Sequence, residues 1–194
     1  GVAERVDLHE AGGIDGQVVF VGADTPAARG LERATRHGIP TFVVDYAEIM
    51  RRCKEAPGAL ALPADGDIEE VMAEQSLFGP TAPAEKVRRF VGTRIVAEAR
   101  LLAAMAEYKP DLLVLAGFMR NLTPYFIDRF NTDPGCPRIM NIHPALLPSF
   151  PGVDGYGDTF RYGCKIGGCT VHFIDYGEDS GPIIGQLSFV IDEH

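Results

Sequence analysis

The sequence predicts an α/β fold, a mostly parallel, twisted sheet with helices on both faces and an inserted lobe of short helices and loops. Three observations carry this. Residues 17–22 (QVVFVG) and 39–44 (IPTFVV) are short apolar runs separated by one helical stretch. Strand, helix and strand within about 30 residues form a β–α–β unit, and such a unit makes its strands parallel. Residues 111–117 (DLLVLAG) are apolar on both faces, the pattern of a central strand covered from both sides. The helix before that strand places Ile95, Ala99, Leu102, Ala103 and Ala106 on one face.

Each element has a local reason. Val2, Val6 and Leu8 give residues 1–13 a weak helical pattern, stopped by Gly12 and Gly13. After the strand at 17–22, Thr25 and Pro26 are suited to cap and open a helix. That helix turns Ala28, Leu31, Ala34 and Thr35 inward and ends at Gly38. Residues 47–92 form the inserted lobe. Short helices are expected at 47–54 and 68–74, among turns marked by Pro57, Gly58, Pro63, Gly66, Gly79, Pro80 and Pro83. The helix from Thr93 stops at Pro110, and residues 118–122 form the loop leaving the central strand. Thr123 and Pro124 open a helix through Phe130, and a turn-rich link leads to a strand at 138–143. Residues 149–157 are loop, 159–162 a helical turn, 168–174 a strand, 175–182 a tight acidic loop, and 183–191 a last strand.

Composition narrows the functions. The 194 residues fit one domain and supply ample core. A net charge of −9 argues against nucleic acid held by phosphate neutralisation, though not against a basic pocket for one small phosphate. No run is long and apolar enough to span a bilayer, and no signal peptide is expected from the opening residues given. Cys53, Cys136, Cys164 and Cys169 form no C-x-x-C pair, so no metal site is expected. Reduced thiols and a cytoplasmic location are expected, with Cys169 in the core.

The chemistry centres on residues 138–148, Arg-Ile-Met-Asn-Ile-His-Pro-Ala-Leu-Leu-Pro. Side chains alternate along a strand, so Asn141 and His143 share a face while Met140 and Ile142 turn into packing. An amide and an imidazole then stand together at a strand end, where α/β sheets bind ligands. Asn-x-His-Pro alone fits equally a buried histidine with a hydrogen-bonded asparagine. Asp179 alone reads as a turn residue bonding its own backbone. Thr170 and His172 share a strand face, and His172 is expected to be structural or to lie one layer behind the site. His9, His37 and His194 carry no signal.

Three blocks resemble the glycinamide ribonucleotide formyltransferases in order and spacing. They are Ala116-Gly117-Phe118-Met119-Arg120, Asn141-Ile142-His143-Pro144-Ala145-Leu146-Leu147-Pro148 and Asp179-Ser180-Gly181-Pro182-Ile183-Ile184. Gly30-Leu31-Glu32-Arg33-Ala34 with Gly38-Ile39-Pro40 resembles the family's second β–α unit. The likeness leaves out the 47–92 lobe. The last two blocks are shared with formyltetrahydrofolate deformylases. The Gly-Phe-Met-Arg block and the proline after His143 favour the purine enzyme.

The resemblance implies a single Rossmann-like catalytic domain over residues 1–194 that moves a formyl group from 10-formyltetrahydrofolate to the amine of glycinamide ribonucleotide. It assigns catalysis to Asn141, His143 and Asp179. It assigns the folate to Met119, Arg120, Asn121 and Leu122, with Asn141 and with Arg94 at the start of its helix. Thr170 matches a small hydroxyl position of the family's site. The partners implied are these two small molecules, with no nucleic acid, membrane or metal, and a monomer or homodimer. The alternatives are a deformylase with the same three residues and a silent folate- or nucleotide-binding module. The family's first strand with its Gly/Asn/Ser phosphate loop, and its C-terminal helix, have no counterpart here, so the sequence is expected to be incomplete at both ends. Residues 152–157 also lack histidines common in the family at that place.

Overall fold

The structure, a computed structural model, describes residues 15–56, 58, 61–133 and 135–192. The helical pattern expected over 1–13, with His9 and His194, lies outside them. The chain divides into two compact units, Gly1–Glu69 with Ala84–Asp111, and Glu70–Pro83 with Leu112–His194.

The first unit is built on β1 (Val21–Ala23), α1 (Arg29–Arg36), β2 (Thr41–Val43) and α2 (Tyr46–Glu55). β1 and β2 pair in parallel, Val21 opposite Thr41 and Ala23 opposite Val43, as the β–α–β spacing requires. α1 packs on both strands and buries Ala34. Asp45 caps α2 by accepting the Glu48 N–H at 3.0 Å. α3 (Ile68–Glu74), most of which is assigned to the second unit, matches the helix expected at those residues.

The long helix α4 (Ala84–Met105) completes the unit and corrects the sequence reading. It starts at Ala84, ahead of the Thr93 expected from the sequence, so Arg94 stands mid-helix. Val87, Val91, Ile95, Leu101 and Met105 keep one stripe buried along its whole length. Each fully buried valine or isoleucine contributes about 1.5–3 kcal/mol relative to exposure. That stripe outweighs Gly92 and the turn signals at Gly79, Pro80 and Pro83.

The second unit holds β3 (Leu113–Leu115), α5 (Pro124–Phe130), β4 (Ile139–His143), α6 (Gly155–Arg161), β5 (Ile166–Phe173) and β6 (Ile183–Val190). Its strands lie in the order β3-β4-β5-β6. β3 and β4 are parallel, whereas β4–β5 and β5–β6 are antiparallel, so the sheet is mixed. A nine-residue link (174–182) reverses the chain between β5 and β6, too short for the crossover that a parallel pair needs. α6 begins at Gly155 rather than 159, because Asp154 accepts the Gly157 N–H at 3.2 Å.

Two packing expectations change. Ile142 is 41% exposed, and the buried face of β4 is the one carrying Ile139 and His143. Cys169 is half-buried, not core, and all eight residues of β6 are exposed. No helix of the described residues is long and apolar enough to cross a membrane.

Candidate active site

The site grows from the end of β4. His143 is its last residue and is 2% exposed. Asn141 precedes it by two positions on the same strand face and is half-buried. The antiparallel register sets Asn141 opposite His172 and His143 opposite Thr170.

Thr170 fixes the chain beyond His143. Its hydroxyl donates to the Ala145 carbonyl at 2.7 Å and accepts from the Leu147 N–H at 3.0 Å and the Gln186 amide at 2.9 Å. Gln186 also donates to the Leu147 carbonyl at 2.9 Å. β5 and β6 therefore hold the Pro144–Pro148 turn by polar bonds, of which those from Thr170 to the turn backbone are buried.

Asp179 arrives on the tight loop after β5. The Asp175 carboxylate accepts from the Gly177 N–H at 3.0 Å and the Ser180 hydroxyl at 2.7 Å. Tyr176 donates to Asp128 at 2.5 Å and ties the loop to α5, and that bond pushes its pKa up to about 12. At Gly181 a Cβ would lie 2.0 Å from the Phe173 carbonyl oxygen, so only glycine closes this loop. Asp179 sits at φ +52°, a left-handed conformation that aspartate tolerates better than most residues.

The imidazole and the carboxylate meet. His143 Nδ1 lies 3.1 Å from Asp179 Oδ2, with the two side chains 3% and 13% exposed. The Gly152 N–H donates to the same oxygen at 2.8 Å. His143 Nε2 lies 2.7 Å from the Phe150 carbonyl oxygen. Both ring nitrogens face acceptors, which is what an imidazolium satisfies. Burial lowers the His143 pKa, but bonds to Asp179 and the Phe150 carbonyl, with the charges of Asp179 and Glu178, raise it above the usual 6.5. Burial likewise raises Asp179, and is outweighed by His143, the Gly152 N–H and the nearby His172, leaving its pKa below 3.8. A Cβ at position 155 would come 2.8 Å from His143 Nε2, so Gly155 lets α6 approach the ring.

The other expected residues are placed variously. Met119 is 65% exposed in the loop after β3, Arg120 half-buried, and Leu122 buried at 4%. Asn121 donates to Glu178 at 3.5 Å, which brings this loop to the neighbour of Asp179. Arg94 belongs to the first unit. It is buried on α4 with its guanidinium 4.6 Å from the Phe90 ring centroid and 5.1 Å from that of Tyr46. Sequence reading missed the Phe150 carbonyl and the Gly152 N–H, because backbone groups leave no mark in residue identity. His172 stands nearer the chemistry than its alternation alone indicated, with Nε2 3.6 Å from Asp179 Oδ1. Among the described residues no cluster of three or more His, Cys, Asp or Glu is arranged for a metal ion.

A histidine–carboxylate pair beside an amide is suited to stabilising an oxyanion and moving a proton. A phosphoribosylglycinamide formyltransferase of Mycobacterium tuberculosis is 51% identical over 86 residues, a match spanning 44% of this chain and 38% of that protein. A formyltetrahydrofolate deformylase of Haemophilus influenzae is 40% identical over 100 residues, 52% of this chain and 34% of that protein. The chain thus matches well under half the length of these curated relatives. The crystal structure of glycinamide ribonucleotide transformylase 1 from Symbiobacterium toebii superposes with a TM-score of 0.69 at 31% identity, covering 99% of this chain and 69% of that one. The formyl transferase family profile matches residues 2–194, and with these likenesses the chain belongs to the formyl transferase family.

Proposed function

We propose that this chain transfers a formyl group from 10-formyltetrahydrofolate to the amine of glycinamide ribonucleotide. The observation that carries the reading is His143 held by Asp179 at 3.1 Å, on the strand face that also presents Asn141. The amine attacks the formyl carbon, a new C–N bond forms, and the carbonyl oxygen takes on negative charge. The Asn141 amide and the His143 imidazolium donate to that oxygen, and losing one such donor costs about 3–4 kcal/mol of barrier. The intermediate then breaks its bond to the folate nitrogen, which takes the proton given up by the amine, through His143 or water. His143 Nδ1 is committed to Asp179, so Nε2 serves the substrate, whose oxygen replaces the Phe150 carbonyl there.

Met119, Arg120 and Asn121 fit the donor's pteridine end, because an exposed apolar side chain stands there among loop polar groups. Leu122 is buried at the end of that loop, and it and Arg94 are assigned to the folate by the resemblance alone. We place the protein in the cytoplasm, acting on these small molecules as a monomer or homodimer.

The second reading is 10-formyltetrahydrofolate hydrolysis by the same residues, favoured by the deformylase likeness. One assay separates them. The protein is incubated with 10-formyltetrahydrofolate, with and without glycinamide ribonucleotide. Formylated product that requires the amine supports transfer. Formate released without it means hydrolysis, and neither means a binding module. His143→Ala is expected to lower kcat by about 100-fold or more while folate binding stays near wild type. Full rate in that variant would refute the mechanism.

A further inference from the structure

We propose that Tyr176 is a positioning residue for this reaction, its phenol anchored on Asp128 so that the loop after β5 presents Asp179 to the imidazole of His143. The proposal rests on the transfer reading above and deepens it. Tyr176 precedes Asp179 on the link between β5 and β6. Its hydroxyl donates to Asp128 Oδ1 at 2.5 Å, and Asp128 belongs to α5. That is the length of a phenol bond to a carboxylate, about twice as strong as one between neutral groups. The Tyr176 carbonyl accepts from the Ser76 N–H at 2.9 Å, just beyond the end of α3. One residue thus ties the loop to two other elements, to one by its side chain and to the other by its backbone.

The loop's other bonds act inside it or at its base. The Asp175 carboxylate shapes it from within, through Gly177 and Ser180. At the base the Phe173 N–H donates to the Pro182 carbonyl and the Ile174 N–H to the Ile139 carbonyl of β4, each at 2.9 Å. These bonds set the loop's shape and where it begins and ends. Its inclination over the sheet depends on what it leans on, and Tyr176 rests it on α5 and on the segment after α3. Asp179 at φ +52° is in a conformation that persists where the surroundings over-determine it. Its contact with His143 at 3.1 Å leaves little room, and a misplacement of about 1 Å can cost about 100-fold in rate. The Asp128 bond, burial and the charges of Asp128 and Glu74 push the phenol pKa up to about 12, so the hydroxyl stays a donor at neutral pH. The charged groups facing Tyr176 are Asp128 from α5 and Glu74 from α3. Those facing the His143–Asp179 pair are Glu178 from the loop and His172 from β5.

The experiment compares wild type, Tyr176→Phe, Asp128→Ala and the double variant, each as the full chain, by steady-state kinetics and by NMR titration of the His143 ring. Phenylalanine keeps the ring and removes the donor. Asp128 is exposed, so removing it strands no buried charge. Tyr176→Phe is expected to lower kcat about tenfold or more, as for a lost bond to a charged group. The pH at which His143 titrates falls in the same variant, because its bond to Asp179 is among the causes that raise it. Asp128→Ala reproduces both changes. The double variant matches either single one within about twofold, because all three lack the same bond. A folded Tyr176→Phe protein in which kcat or the His143 titration stays at wild type overturns the proposal, even where its Tm falls, since a purely structural role moves Tm alone. Losses that multiply in the double variant overturn it too, because the two side chains then act separately. Where Tyr176→Phe does not fold, Asp128→Ala decides by the same two readouts. The His143 titration needs no substrate. If it shifts in Tyr176→Phe while wild type transfers no formyl group, the positioning stands and the activity falls. If wild type transfers formyl and the titration is unmoved, the positioning falls and the activity stands.

Discussion

Asp179 concentrates the site's electrostatics in one side chain. It raises the His143 pKa by hydrogen bond and by charge, against burial that would lower it. Replacing it with asparagine removes the charge while keeping a residue that tolerates φ +52°. In Asp179→Asn the hydrogen bond to a charged carboxylate and its charge are lost, and the His143 pKa is expected to fall. The imidazolium then forms only in more acidic solution. Near pH 7, kcat is expected to fall by about tenfold or more, the scale of general acid–base contributions, and the optimum to move toward acid. A pH profile of kcat for both proteins checks this. An unshifted profile would show that Asp179 is not what keeps His143 charged.

The turn after β4 is held by an element that does no chemistry. Thr170 makes three hydrogen bonds from a fully buried hydroxyl, two of them to the backbone of the Pro144–Pro148 turn and one to Gln186. Thr170→Val keeps the shape and removes all three. The stranded Leu147 N–H and Ala145 carbonyl are expected to cost about 3 kcal/mol together. Urea unfolding should show this as a lower midpoint at unchanged slope, which separates lost stability from a changed unfolded state. A loss below about 0.5 kcal/mol would mean that water or Gln186 takes over the bonds. β6 supplies Gln186 to this network although all eight of its residues are exposed. The same strand is thus both a sheet edge and a brace for the site.

At the scale of the molecule, what could be read in advance was what local pattern determines. The parallel pairs β1–β2 and β3–β4 follow from the helices between their strands. The shared face of Asn141 and His143 follows from strand alternation, and the Asp179 contact from motif order. The early start of α4 was hidden by the turn signals at Gly79, Pro80 and Pro83, while the burial of Val87 and Val91 that carries the helix back to Ala84 is tertiary. The exposure of Ile142 was equally hidden, since alternation shows which residues share a face but not which face is covered. The His143–Asp179 contact, formed only on folding, makes stability depend on pH in a predictable sense. The His143 pKa is raised, so its contribution is full below 6.5 and is lost as pH rises through the folded value. The Asp179 pKa is lowered, so its contribution is present above 3.8 and is lost as pH falls through the folded value. Both act together between 3.8 and 6.5. Other groups titrate too, so the informative quantity is the stability of wild type minus that of Asp179→Asn, from urea melts across pH. This difference should be greatest inside that window and shrink on both sides, because one contact supplies both limbs. A difference independent of pH would mean that Asp179 stabilises the fold through its loop geometry and not through the charge it shares with His143.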